Sequence, residues 1–275
     1  MKQLLVIGAG YIGAEVIRQA LDTEWEAIGA TKSGEDGMMA IDVSDIESLR
    51  KCEIAPDIII HCASSGRGGE EAYRAVFLQG IENIHSVYPN TPLIFVSSSS
   101  VYAQTEGEVV NEQSETLPTR ATGKILLASE KLVLQQGGIV ARLAGIYGPK
   151  RSVLLKKLLM GSAEIEEDGR RIINQIHQYD AASALLLLAG RLIDKELAGE
   201  CYNVCDSFPR SQKETYIGLC KVLNLPLPPT GVRDLNRKRG WTHKAVSNQK
   251  LISAGWAPQY PNFLECAVKI KDGGF

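Results

Sequence analysis

Short apolar runs, separated by segments of helical periodicity, constrain the fold of this chain more than any other feature. The runs predict β-strands near 3–7, 25–30, 58–62, 93–97 and 139–143. The intervening and following segments predict helices near 11–21, 70–88, 119–136, 152–160, 180–193 and 210–223. Strands that are apolar throughout need cover on both faces, which a parallel sheet between two layers of helices provides. The sequence therefore predicts an α/β fold with a doubly wound parallel sheet.

A glycine-rich turn follows the first predicted strand and opens the first predicted helix. In VIGAGYIGAEVI, Gly8, Gly10 and Gly13 form the pattern GxGxxG. The first glycine permits a tight turn, the second permits close approach of a pyrophosphate, and the third permits close packing of helix on strand. This pattern predicts a Rossmann dinucleotide site in which the helix start, with Tyr11 and Ile12, faces the phosphates. The alternative is a turn that only packs the first helix.

The end of the second predicted strand bears on which dinucleotide is bound. An acidic residue there would bind the ribose 2′-hydroxyl of NAD. This strand instead ends in Thr31, Lys32 and Ser33. Because a cation and two hydroxyl groups suit a phosphate, NADP(H) is favoured over NAD(H). Two alternatives stay open: Lys32 is a solvated loop charge, or Glu35 and Asp36 reach the ribose.

Composition excludes several classes of partner. The chain has 275 residues, 44% of them hydrophobic and 23% charged, with a net charge of -2. No basic stripe is present that would bind nucleic acid or an anionic membrane, and no apolar run reaches membrane-spanning length. The six cysteines include no CxxC pair, so we predict reduced thiols, no metal site and a cytoplasmic protein.

Six later segments, in order, carry a more specific pattern. They are DIIIHCA (57–63), FVSSSSVYA (95–103), RLAGIYGP (142–149), INQIHQYDAASALLLL (173–188), YNVCD (202–206) and LISAGWAPQ (251–259). With the glycine loop, these segments resemble the extended branch of the short-chain dehydrogenase/reductase superfamily, the NAD-dependent epimerases and dehydratases. The resemblance implies a dinucleotide-binding Rossmann domain over 1–206, with substrate-side segments from about 150–180. It also implies a small substrate-binding region over 207–275, and it places Ala63 beside the adenine.

The same resemblance implies which residues do the chemistry. The superfamily uses a serine, a tyrosine and a lysine, with the last two spaced YxxxK so that they share one face of a helix. The tyrosine exchanges a proton while the lysine holds the cofactor ribose and lowers the phenol pKa. Ser98 corresponds to the serine, and Ser99 and Ser100 could share its role. Lys124 is assigned to the lysine.

The tyrosine of this pattern is missing. No tyrosine in the chain has a lysine four residues later, and Arg120 stands four residues before Lys124. A guanidinium cannot exchange protons near neutral pH, so it cannot replace a phenol. Tyr102 and Tyr147, at the ends of central strands, are candidates for a relocated acid, although each could be a packed aromatic residue. This sequence therefore resembles the atypical members of the superfamily.

Cations offer candidate sites for a substrate. Arg120 and Lys124 would be like charges on one helical face, which an anion between them would stabilise; the alternative is two solvated cations. The segment 231–241 is also basic, and Arg233 with the cations at 237–239 could bind a diphosphate or form a solvated face.

Two functions follow from these observations. The first is an NAD(P)-dependent reductase, epimerase or dehydratase that acts on a nucleotide sugar or a similar polar carbonyl compound. The second is a non-catalytic NAD(P)(H) sensor, which the missing tyrosine favours. The retained serine favours the enzyme. The resemblance also implies a homodimer that pairs through the helices near 70–88 and 119–136.

Overall fold

The computed structural model describes residues 1–66, 68–234 and 241–272, the last five by their backbone alone. Its strands are β1 (Lys2–Ile7), β2 (Trp25–Thr31), β3 (Met39–Ala40), β4 (Ile58–His61), β5 (Leu93–Ser98), β6 (Glu108–Val110), β7 (Ile139–Leu143), β8 (Gly145–Tyr147), β9 (Ile165–Glu166), β10 (Ile172–Ile173), β11 (Gln175–His177), β12 (Cys201–Val204), β13 (Arg210–Ser211), β14 (Thr230–Gly231) and β15 (Lys244–Val246). Its helices are α1 (Tyr11–Ala20), α2 (Ile46–Arg50), α3 (Glu70–Tyr73), α4 (Gly80–Val87), α5 (Ala121–Gln135), α6 (Val153–Leu159), α7 (Gln178–Ile193), α8 (Gln212–Leu223), α9 (Gln249–Ser253) and α10 (Phe263–Asp272).

A seven-stranded parallel sheet forms the centre of the molecule, in the order β12-β7-β5-β4-β1-β2-β3. Helices α1 and α7 pack together over the sheet, and α2, α3, α4 and α5 form a second layer. The predicted doubly wound α/β fold is therefore confirmed. Each predicted strand is present to within one residue, whereas the edge strands β3 and β12 were not predicted.

The apolar runs form strands because both faces of the sheet are covered. In β4, Ile58, Ile59 and Ile60 are all fully buried, and so are Leu4 and Leu5 in β1. A strand with apolar side chains on both of its faces can pack against both helical layers. Burial of this kind, at roughly 25 cal/mol per Å² of apolar surface, holds the carboxyl ends of the strands in fixed positions.

The helix predicted over 70–88 is divided. It consists of α3, a π-helical turn at Arg74–Gln79 and α4. The ring Nε2 of His61 in β4 lies 3.0 Å from the carbonyl oxygen of Val76 in that turn. A π-helical turn inserts one residue per turn and changes which side chains face the sheet, and such turns are frequent at functional sites.

A second, smaller core lies beside the sheet. It joins residues of 147–165 to residues of 216–267 and contains Tyr147, Leu155, Leu158, Ala163, Ile165, Tyr216, Leu219, Cys220, Phe263, Cys266 and Ala267. Helices α6, α8 and α10 supply most of it. The small C-terminal region thus packs with a segment that precedes residue 206. No helix within the described ranges is long and apolar enough to cross a membrane.

Candidate active site

The glycine loop lies where the order of the strands in the sheet reverses. Strand β1 has β2 on one side and β4 on the other, and the loop follows the carboxyl end of β1. The amides of Gly8 and Ala9 both donate to the carbonyl oxygen of Ala30, at 2.8 and 2.9 Å. Open parallel sheets bind ligands in the crevice at this switch point.

Each glycine of the loop has a distinct steric environment. Gly8 has φ +93°, and a Cβ there would lie 2.2 Å from the backbone nitrogen of Ala63. A Cβ on Gly13 would lie 2.4 Å from the carbonyl oxygen of Gly8, so the helix can approach the strand only without one. A Cβ on Gly10 would meet nothing within 4 Å. The fold itself therefore needs Gly8 and Gly13, whereas Gly10 faces open space that a ligand can fill.

A cavity of about 240 Å³ opens above this loop. Its lining includes six residues assigned from the sequence: Gly8, Gly10, Tyr11, Ile12, Ala63 and Ser98. The N–H groups in the first turn of a helix have no acceptor within the helix, and the helix dipole is positive there. The cavity, which we call the dinucleotide cavity, thus offers hydrogen-bond donors and a favourable potential to a diphosphate.

Arg151 also lines the dinucleotide cavity, although no pattern in the sequence predicted it. Its guanidinium lies 5.1 Å from the centre of the Tyr11 ring. Tyr11 is held from both sides, because its hydroxyl donates to the carbonyl oxygen of Pro149 (2.9 Å) and its own carbonyl accepts from Gln178 Nε2 (2.6 Å). Burial raises the pKa of Tyr11 to about 12, so the phenol stays protonated. The only signal for Arg151 in the sequence was its position as a cation directly after Gly148, Pro149 and Lys150.

The residues predicted to select the cofactor lie at the end of β2, outside the cavity lining. Thr31 Oγ1 accepts a hydrogen bond from the amide of Gly34 at 3.0 Å. The exposed Lys32 ammonium forms an ion pair with Asp42 at 2.7 Å. Ser33 is exposed. Because Asp42 already balances the charge of Lys32, a 2′-phosphate would have to compete with that carboxylate.

A second cavity of about 140 Å³ adjoins the first. Tyr73 and Leu126 line both, so the two cavities are neighbours, and we call them together the cleft. The other residues of the second cavity are Ser100, Tyr102, Ala103, Thr105, Pro118, Thr119, Arg120, Thr122, Gly123, Trp241 and Thr242. Its hydroxyl groups, its cation and its indole suit a polar organic substrate. We call it the substrate cavity.

Lys124, assigned from the resemblance to the cofactor ribose, has an exposed side chain that lines neither cavity. Its contact with a cofactor stays a prediction. The residues of α5 that line the substrate cavity four positions apart are Thr122 and Leu126. A residue two positions from Thr122 is rotated by about 200° around the helix. The helix therefore presents a threonine and a leucine to the cleft, and Arg120 and Lys124 do not meet at a cavity.

The serines at the end of β5 divide between the two cavities. Ser98 is buried and lines the dinucleotide cavity, and its hydroxyl accepts from the amide of Ser100 at 3.2 Å. Ser100 lines the substrate cavity, and Ser99 lines neither. Ser98 thus lies at the carboxyl end of a central strand, within the cleft that a nicotinamide would enter.

Tyr102 is held in a buried network. Its ring lines the substrate cavity, but its hydroxyl donates to Asn203 Oδ1 and accepts from Arg142 Nη1, both at 2.9 Å. Burial raises the pKa of Tyr102 to about 12. With its only proton committed to Asn203, this phenol positions neighbouring strands and is a poor proton donor for a substrate.

Tyr147 lies away from the cleft, whereas Arg233 lines a different cavity and contacts Trp241 of the substrate cavity. Tyr147 is fully buried in the second core, edge-on to Phe263, and burial raises its pKa well above the usual range. Arg233 pairs with Glu167 at 2.7 Å and stacks 3.8 Å from the Trp241 ring centre, in a separate cavity. The cations at 237–239 lie outside the described residues.

The fold and the glycine loop define a protein of the extended short-chain dehydrogenase/reductase class. The chain belongs to the RmlD substrate binding domain family, whose family model matches residues 1–174. The resemblance found in the sequence is thereby confirmed. A comparison with curated proteins found no match.

Solved structures share the fold over nearly the whole chain. A putative NAD-dependent epimerase/dehydratase from Methylobacillus flagellatus is 22% identical, with a TM-score of 0.81 and 98% of each chain covered. The dTDP-glucose 4,6-dehydratase of Bacillus anthracis, in complex with NAD, is 19% identical, with a TM-score of 0.80, 100% of this chain and 97% of that chain covered. The UDP-glucuronic acid 4-epimerase of Bacillus cereus, in complex with UDP-glucuronic acid and NAD, is 17% identical, with a TM-score of 0.80, 99% of this chain and 100% of that chain covered.

Proposed function

We propose that this protein is a nicotinamide-dependent epimerase, dehydratase or reductase that acts on a nucleotide sugar or a similar polar carbonyl compound. The observation that carries the proposal is the cleft, in which the dinucleotide cavity, lined by Ser98, lies beside the substrate cavity. Similar proteins are recorded with NAD and with a nucleotide sugar. A bound nicotinamide would supply hydride transfer at this junction.

The residues of the cleft have separable tasks. The amides at the start of α1 and the guanidinium of Arg151 hold the diphosphate of the cofactor. Ser98 donates a hydrogen bond to the carbonyl oxygen of the substrate and polarises it. Arg120, in the substrate cavity, binds an anionic group of the substrate. The apolar wall that includes Leu126 and Leu143 excludes water from the nicotinamide.

Substitution of Gly10 tests the dinucleotide site. We expect Gly10→Ala to weaken binding of NAD(H) and NADP(H) about tenfold or more, since the new methyl group occupies the space of the pyrophosphate. The melting temperature should stay unchanged, because a Cβ there meets no protein atom within 4 Å. Isothermal titration calorimetry measures the binding.

Gly190→Ala is the matched control, because Gly190 in α7 also has nothing within 4 Å of its Cβ position. It should bind cofactor as the unsubstituted protein does. Equal affinity in Gly10→Ala would contradict the proposed pyrophosphate site.

The catalytic part of the proposal needs a separate measurement. Nicotinamide absorbance is recorded with a panel of UDP- and dTDP-sugars, and products are analysed by chromatography. Turnover of any member supports the enzyme. Saturable cofactor binding without turnover supports the alternative, a non-catalytic dinucleotide sensor, which the threonine and leucine on α5 favour.

We further propose that NADP(H) is preferred over NAD(H), with Lys32 as the determinant. Lys32→Ala is then expected to weaken NADP(H) binding about tenfold and to leave NAD(H) binding unchanged, because only NADP carries the 2′-phosphate. Asp42→Asn is the opposing variant, since it removes the carboxylate that pairs with Lys32 at 2.7 Å. It should strengthen NADP(H) binding. Equal effects of Lys32→Ala on both cofactors would contradict the assignment.

We also propose that the protein is a homodimer. The support is that α3, α4 and α5 form one helical layer on a single face of the sheet, which gives two copies a common surface to pair through. The mass in solution, measured by light scattering, decides between one and two chains.

A further inference from the structure

The proposed reaction needs a group that exchanges a proton with the substrate oxygen while hydride moves. The residues of α5 that line the substrate cavity are Thr122, Gly123 and Leu126, and glycine has no side chain. Leucine carries no proton to exchange, and an aliphatic hydroxyl is far too weak an acid to replace a phenol. If the cleft is catalytic, the acid must come from another wall.

We propose that Tyr73 is this catalytic acid and base. Tyr73 lines both the dinucleotide cavity and the substrate cavity, so it borders the place where a nicotinamide would meet a substrate. It is 7% exposed. Leu126 of α5 is the other residue that lines both cavities. This proposal rests on the function proposed above.

The local structure fixes the position of this ring. Tyr73 is the last residue of α3, directly before the π-helical turn Arg74–Gln79. Its ring packs edge-on to Phe77, with 5.0 Å between ring centres, and Phe77 packs in turn on Phe95 of β5 at 5.8 Å. Helix α3 also contacts α5. The π-helical turn therefore fixes where the Tyr73 phenol lies at the cleft. In a regular helix, Tyr73 would be shifted by one residue position relative to α4.

The other ionisable groups of the cleft are less suited to the role. Those that line either cavity are Tyr11, Cys62, Tyr102, Arg120 and Arg151. Each of these five lines one cavity only, whereas Tyr73 lines both. An arginine stays protonated throughout the working range of an enzyme.

The step balances with the nicotinamide as the only co-reactant. In the reducing direction, a bound reduced nicotinamide would supply hydride to the carbonyl carbon, and Tyr73 would give its phenolic proton to the carbonyl oxygen. A C–H and an O–H bond form, the C=O π bond breaks, and the phenolate takes a proton from water. In the oxidising direction the phenolate accepts the hydroxyl proton.

The first test measures the phenol directly and needs no substrate. Tyrosinate absorbance is titrated with pH in the presence and absence of saturating NAD⁺. One tyrosine is expected to ionise about one pH unit lower when NAD⁺ is bound, because the positive nicotinamide lies beside it. This shift should vanish in Tyr73→Phe, which keeps the ring and removes one oxygen.

Tyr88→Phe is the matched control. Tyr88 follows α4, 15 residues and about 22 Å along the helical segment from Tyr73, and its hydroxyl is buried without a hydrogen-bond partner among the described atoms. It should keep the NAD⁺-dependent shift. A shift that persists in Tyr73→Phe, or one that is absent from the unsubstituted protein with NAD⁺ bound, overturns the assignment of Tyr73 alone. Failure of calorimetry to detect any cofactor overturns the proposed function, and this assignment with it.

The second test uses whichever sugar nucleotide of the panel is turned over. Tyr73→Phe is expected to lower kcat about 100-fold or more with cofactor affinity unchanged, as for loss of a general acid. An unchanged kcat would overturn the assignment and leave the proposed function standing.

Discussion

Replacing Glu130 by alanine is expected to lower the free energy of unfolding by about 3–5 kcal/mol. Its carboxylate accepts hydrogen bonds from Arg142 Nη2 at 2.6 Å and Nε at 3.1 Å, and from the Ser97 hydroxyl at 2.5 Å. Glu130 and Arg142 are 2% and 6% exposed. Without the carboxylate, the guanidinium would remain buried with no anion to balance it. Unfolding by urea, followed by circular dichroism, measures the loss.

The expected loss of stability is large because the Glu130–Arg142 pair connects several elements of the fold. Glu130 is on α5, Ser97 on β5 and Arg142 on β7, and the network continues through Tyr102 to Asn203 on β12. It therefore ties three adjacent strands to the helix that borders the cleft. Burial alone disfavours the charged form of Arg142, and the hydrogen bonds and charge of Glu130 outweigh it, so the pKa of Arg142 is raised.

Two comparisons separate the buried pair from surface effects. Glu47→Ala breaks the exposed Arg50–Glu47 pair and should cost less than about 1 kcal/mol. The double variant Glu130→Leu with Arg142→Met should recover much of the stability lost in Glu130→Ala, because it leaves no unpaired charge. If Glu130→Ala unfolds at the same urea concentration as the unsubstituted protein, the network does not stabilise the fold.

The parts of the molecule that could be predicted well from the sequence are those set by residues close together in the chain. The glycine loop is one: strand, turn and helix follow each other directly, and the contact of Gly13 with Gly8 is made within six residues. The central strands are another, because a continuous apolar run suits only a covered sheet. Local patterns of this kind place the dinucleotide cavity without any knowledge of the tertiary structure.

The rest of the site depends on how helices and strands rotate against each other. The register of α5 places Thr122 and Leu126 in the cleft, which spacing from a neighbouring strand could not predict. The direction of the Tyr102 hydroxyl is set by Asn203, 101 residues away. Arg151 and Tyr73 lie in segments with no recognisable motif. Distant packing decides each of these positions, and no short pattern in the sequence reports it.

The protein is expected to lose stability as the pH falls from about 6.5 to about 4, through two buried histidines. Burial lowers the pKa of both His61 and His177 from 6.5 to about 4. Between these values the unfolded chain binds protons that the folded chain does not, so the free energy of unfolding falls as the pH falls. A shift of this size corresponds to about 3 kcal/mol for each histidine. Asp206 acts in the opposite direction, because burial raises its pKa to about 7, so the profile of the unsubstituted protein alone cannot isolate the histidines.

A variant that keeps the shape and removes the titration isolates His61. Its ring lies between Phe77 and Phe95, and its Nδ1 is buried without a hydrogen-bond partner among the described atoms, so His61→Phe fits the site. The stability of His61→Phe relative to the unsubstituted protein should rise by about 3 kcal/mol between pH 6.5 and pH 4. His177→Asn is the companion variant, since asparagine retains the acceptor that caps α7 at the amide of Tyr179. Parallel profiles for His61→Phe and the unsubstituted protein would mean that His61 is protonated in the folded state. Among the described residues, the hydrogen-bond partner of this ring is the carbonyl oxygen of Val76, 3.0 Å from its Nε2.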